Sequence, residues 1–131
     1  MRFSSFSLGV VVVLLLAGHV FASGKKILII HSYHPSLSWT MQYTHGIRDF
    51  LGATVQLDHF YLDTKRIPAS QFKARVEAAL AYYRQIQPDL VMLGDDNALF
   101  LLWEPIATKG TPVVFFGINS NLRHYFDAIP P

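Results

Sequence analysis

An α/β fold built on a doubly wound parallel sheet of strand order 2-1-3-4 is predicted by three features of the sequence. Continuously apolar runs recur at residues 26–31 (KILIIH), 90–93 (LVML) and 113–116 (VVFF), as expected for strands buried on both faces. The segments between them carry apolar residues at the helical period. Strand and helix alternate, and right-handed crossovers then make the sheet parallel.

The first run, KILIIH, leads into a loop marked by Pro35 and flanking serines. Ser38 is placed to cap a helix in which Trp39, Tyr43 and Ile47 share one face, with Phe50 and Leu51 extending it and Gly52 stopping it. Residues 55–62 (VQLDHFYL) alternate apolar and polar side chains at first, the pattern of a strand at an edge or exposed on one side. Pro68 and Ser70 open a second helix with the stripe Phe72, Val76, Ala79, Leu80 and Tyr83, which ends at Gln87-Pro88-Asp89. The strand LVML follows, then Gly94-Asp95-Asp96-Asn97. A third helix is predicted from Ala98 to about Trp103, with Pro105 at its last turn or exit. The turn Lys109-Gly110-Thr111-Pro112 introduces the strand VVFF, which ends in Gly117-Ile118-Asn119-Ser120.

The N-terminus reads as a secretory signal peptide over residues 1–22. Arg2 supplies the positive start, residues 8–17 (LGVVVVLLLA) the apolar stretch, and Val20-Phe21-Ala22 the small-residue cleavage site. The run is short for a membrane span, which needs roughly 20 apolar residues, although a retained anchor would give a membrane association through residues 1–22. Cleavage leaves residues 23–131, enough for one small domain, with ten basic against nine acidic side chains. The basic residues do not cluster, so nucleic-acid binding has no electrostatic footprint. With no cysteine, disulfides, thiolate metal sites and a cysteine nucleophile are excluded. Export predicts a periplasmic location.

In an open parallel sheet, ligands bind beyond the carboxyl ends of the strands, near the point where strand order reverses. Four loops fall there: residues 31–34 (HSYH), 63–65 (DTK), 94–97 (GDDN) and 117–121 (GINSN), all rich in hydrogen-bonding groups. The opposite loops are plain turns. The glycine-rich dinucleotide fingerprint and the phosphate-binding loop are both absent. His31 and His34 are spaced as a metal pair without a third ligand, so His31 is expected at a strand end, bonded to backbone. One of Asp95, Asp96 or Asn97 is expected to cap the following helix, and ligand contact by another stays open. Trp39 suits a core role and a stacking role equally. No catalytic constellation is evident, so the expected function is binding rather than catalysis, with no metal and no cofactor.

Four segments, KKILIIHSYHPSLSWT, YLDTKRIP, GDDNA and TPVVFFGIN, resemble in order and spacing the substrate-binding proteins of ABC transport systems. They are equally similar to the extracytoplasmic sensor domains that precede histidine kinase or diguanylate cyclase modules. The resemblance implies the N-terminal lobe of a type I periplasmic-binding fold, in which two α/β lobes close on a small solute. Ser32, Tyr33, Trp39, Asp95, Asp96, Asn97, Asn119 and Ser120 would then line the cleft, and the partner would be an ABC permease or, alternatively, a signalling module. A complete member has a second lobe and VVFF would be a bare apolar edge strand, so either the chain is truncated, the favoured expectation, or another chain covers that edge.

Overall fold

The computed structural model of the chain describes residues 24–124 and Phe126. The signal peptide expected over residues 1–22 lies outside the described residues. Four strands, β1 (Lys26–His31), β2 (Gln56–Tyr61), β3 (Leu90–Gly94) and β4 (Val113–Phe116), alternate with three helices, α1 (Ser38–Leu51), α2 (Phe72–Ile86) and α3 (Asp95–Ala107). The sheet is parallel throughout, in the order β2-β1-β3-β4. The fold class and the strand order are those that the sequence predicts.

Alternation along each strand sends its side chains to two different faces. Leu28 and Ile30 of β1 point with Val91 and Leu93 of β3 toward α2 and α3, where they pack on Ala79, Ala98, Leu99, Leu102 and Ile106. All of these are fully buried, and each large aliphatic side chain so buried contributes about 1.5–3 kcal/mol of transfer free energy. The residues between them, Ile27, Ile29 and His31, face the side that α1 crosses. At the middle of the sheet β1 is therefore buried on both faces, which explains its unbroken apolar run.

The starts of α1 and α3 differ from expectation. Leu37, not Ser38, is the N-cap of α1, and no side chain caps that helix. Nor does Asp95, Asp96 or Asn97 cap α3, which starts three residues before Ala98 and follows Gly94 without a loop. The missing cap is supplied from another element, since the Ser32 hydroxyl accepts a hydrogen bond from the Ala98 N–H at 2.8 Å. Pro105 lies inside α3, within its last turn. At the far edge of the sheet, Val114 of β4 is 46% exposed although the strand is wholly apolar.

Two helix ends show why the chain turns where it does. Gly52 closes α1 at φ +67°, with its N–H bonded to the Arg48 carbonyl. Glycine meets that left-handed geometry without the Cβ clash that other residues suffer. Gln87 ends α2 at φ 49°, and Pro88 behind it cannot continue a helix.

Candidate functional site

The carboxyl ends of β1 and β3 are joined by one side chain. The Ser32 hydroxyl donates to the Gly94 carbonyl at 2.7 Å while accepting from Ala98 N–H, and Ser32 N–H donates to the same carbonyl at 3.1 Å. Thr64, in the loop after β2, reaches the Ser32 carbonyl with both its backbone N–H and its hydroxyl, and Asn97 donates to the Thr64 hydroxyl at 2.8 Å. Three of the four predicted loops are thus knitted into one floor.

Above that floor, β3 passes into α3 at a sharp elbow. Asp95 takes the turn with φ +70°, a left-handed conformation that costs a non-glycine residue on the order of 1 kcal/mol and that aspartate tolerates better than most. The turn projects its carboxylate toward the first residues of α1, where the Trp39 indole N–H donates to both oxygens at 3.2 Å. Asp95 is only 4% exposed. Desolvation raises its pKa, the indole donor works against that rise, the neighbouring Asp96 charge adds to it, and the Lys65 charge opposes it more weakly.

Asp96 points to the loop after β4. Its carboxylate accepts from the backbone N–H groups of Asn119 and Ser120, at 3.2 and 2.9 Å, and from the Asn119 side-chain amide at 3.4 Å. Partial desolvation works to raise its pKa, but the donors of Ser120 and Asn119 outweigh it and hold the group below the usual carboxylate range. Two adjacent aspartates are therefore pushed in opposite directions. Asp96 anchors a loop, and Asp95 is a desolvated carboxylate with one neutral donor.

A pocket of about 510 Å³ opens here, lined by Tyr33, Leu37, Trp39, Lys65, Asp95, Gly117, Ile118 and Asn119. The Lys65 ammonium sits 4.0 Å from the centre of the Tyr33 ring, a cation–π contact. Gly117, at φ +69°, passes close enough that a Cβ would stand 3.4 Å from the Trp39 ring and 3.5 Å from an Asp95 oxygen.

Of the eight residues expected to line a cleft, Tyr33, Trp39, Asp95 and Asn119 line this pocket. Asp96 and Ser120 stand behind it as the clamp on the last loop. Ser32 is fully buried and its hydroxyl is engaged within the fold, so it builds the floor. Asn97 reaches Thr64 in that floor. Lys65 lies in a loop that the strand-end rule selects, yet its place over Tyr33 has no signature in the sequence. Leu37 and Ile118 were hidden for the same reason, being apolar residues among polar neighbours.

A second polar group lies beneath α1. His31 is fully buried, and its ring bonds side chains rather than the expected backbone: Nδ1 to Tyr43 Oη at 2.6 Å and Nε2 to His59 Nδ1 at 3.0 Å. His59 Nε2 meets Arg48 at 3.5 Å, and the Tyr61 ring stacks on His31 at 4.4 Å. Desolvation, with a smaller contribution from His59, lowers the His31 pKa to about 3. His34 bonds Ser36 instead, and among the described residues no three His, Cys, Asp or Glu side chains converge as for a metal ion.

The opposite end of the sheet also carries a cleft, of about 570 Å³, between the ends of α2 and α3. Its lining includes Leu80, Tyr83, Pro88 and Pro105, with Arg84 and Lys109 as its charged side chains. It has no buried polar side chain comparable to Asp95. No family model, curated protein or solved structure matches the chain.

Proposed function

We propose that the chain is an exported solute-binding protein, or the N-terminal lobe of one, that captures a small ligand for an ABC importer. The observation that carries this reading is the strand-end pocket, where a desolvated carboxylate, two aromatic side chains and a lysine converge around about 510 Å³. That volume lies in the range of small-molecule sites, which combine apolar walls with a few placed polar groups. The reading is also supported by the four motifs named above, whose residues contribute all four walls of the pocket. A second lobe would supply the facing surface, and closure would follow from the ligand's higher affinity for the closed state.

The test is a small-molecule screen read on the two indole N–H signals of the ¹⁵N-labelled chain, with Trp39 identified by its loss in Trp39→Phe. Ligands that shift the Trp39 signal and leave that of Trp103 in place are expected. A screen in which no compound moves Trp39 would overturn the reading. Genes for a permease and an ATPase beside this one are expected for the transport role, whereas a kinase or cyclase module in the same frame would make it a sensor.

A further inference from the structure

We infer that the strand-end pocket takes a ligand bearing a cationic nitrogen, which docks on Asp95 against the faces of Tyr33 and Trp39. The inference rests on the binding reading above and names the ligand class for that site.

Three observations carry it. Asp95 is buried yet underused: an ionised carboxylate offers about four acceptor positions, and its hydrogen-bond donor among the described residues is one indole N–H shared between both oxygens. Lys65 acts on it only at a distance, so this buried carboxylate lacks the contacting charged partner that such groups ordinarily have. A cationic N–H donor entering the pocket supplies it, forming a charge-assisted bond about twice as strong as a neutral one.

The second observation is the strained elbow. The positive φ of Asp95 keeps its carboxylate at the mouth of the pocket, while Asp96 beside it, in ordinary geometry, turns away to clamp Asn119 and Ser120. The strain separates two identical side chains into an anchor and a ligand acceptor.

The third is Lys65. Its ammonium already lies over the Tyr33 ring at 4.0 Å, so the pocket has an aromatic face that holds a cation. No ion pair of 4.0 Å or less joins Lys65 to Asp95 among the described residues, so Lys65 occupies the ring without saturating the carboxylate. It is an exposed, long side chain that can swing into solvent. A ligand cation replaces it over Tyr33 and gains the contact to Asp95 that Lys65 lacks. An anionic ligand would instead pair with Lys65 and face the repulsion of Asp95.

The two charge types make opposite predictions. Benzylamine, benzyl alcohol and benzoate share one ring and differ in charge, and their binding to the full chain is measured at neutral pH on the Trp39 indole signal. Benzylamine is expected to bind most tightly and benzoate least. Asp95→Asn, which keeps the acceptor for Trp39 but removes the charge, is expected to weaken benzylamine roughly tenfold or more. Lys65→Gln is expected to strengthen benzylamine about two- to fivefold, the worth of one exposed cation–π contact. Preference for benzoate, or benzylamine affinity unaltered in Asp95→Asn, overturns the inference. If none of the three binds while the broader screen yields neutral or anionic ligands at Trp39, the ligand class falls and the binding reading stands. If the screen also yields none, both fall. Retention of the Trp103 indole signal, which reports packing against Phe115 and Phe126, checks that Asp95→Asn is folded.

Discussion

The two faces of the sheet are built from different chemistry. Toward α2 and α3, β1 and β3 present Leu28, Ile30, Val91 and Leu93 to a layer of Leu99, Leu102 and Ile106, with no polar side chain in that buried cluster. Toward α1, the same strand β1 ends in His31, whose ring is held among Tyr43, His59 and Tyr61. One face gains stability from apolar area, which is insensitive to protons. The other buries titratable groups, which must stay neutral to remain there. The difference teaches that stability and pH response are assigned to opposite sides of one sheet, with the pocket at the end where both meet.

The comparison can be broken most directly on the apolar face. Leu102→Ala removes a fully buried side chain and is expected to lower unfolding free energy by about 2–5 kcal/mol in urea titration, equally at neutral and mildly acid pH. A loss that changed with pH would blur the division between the faces.

Acid tests the α1 face. The His31 pKa is lowered to about 3 by burial and by His59, whereas in the unfolded chain it stands near its ordinary 6.5. Below that value the unfolded chain binds the proton and the folded one refuses it, so stability falls as pH drops from about 6.5 toward about 3. The loss attributable to His31 is expected to reach on the order of 3 kcal/mol by pH 4. His59 is lowered as well, by desolvation and then by Arg48, against the opposing charge of Asp58. The raised pKa of Asp95 acts with the opposite sign and offsets part of this slope. Histidine NMR titration should find His31 neutral to below pH 4; a midpoint near 6 would remove the argument.

Ser32 is where the two faces are tied at the pocket end. Ser32→Ala strips the Gly94 carbonyl of one donor and the Ala98 N–H of its acceptor, and about 1–3 kcal/mol of stability should be lost. Amide exchange at Ala98 should quicken with it. The smallest effect is expected on the outer surface of α1, where Phe50 is 89% exposed. Phe50→Ser should alter stability by less than about 0.5 kcal/mol in the same titration.

Much of this was legible in the residues. Continuous runs such as KILIIH report burial on both faces, and strict alternation of strand and helix leaves few topologies. The strand-end rule selected the loops that carry Tyr33, Asp95 and Asn119, and the family resemblance added Trp39 at the start of α1. What escaped is long-range pairing of side chains. A serine does not announce that it will cap a helix 66 residues away, and an aspartate next to another does not announce that it alone will take a positive φ. The start of α3 was placed too late for a related reason: Asp and Asn suggest a turn, and only the Ser32 hydroxyl reveals that the turn is already helix. The partners of His31 arrive from α1 and β2, so its local sequence pointed to backbone instead.

The chain of contacts beneath α1 has one further consequence, in the placement of individual protons. A guanidinium can only donate, so His59 Nε2, facing Arg48, must be the bare nitrogen of its ring. Its proton then sits on Nδ1 and is given to His31 Nε2, which leaves His31 Nδ1–H to donate to the Tyr43 oxygen. One arginine on α1 thus fixes the tautomer of two imidazoles in series, along a relay that leaves the helix at Arg48 and returns to it at Tyr43.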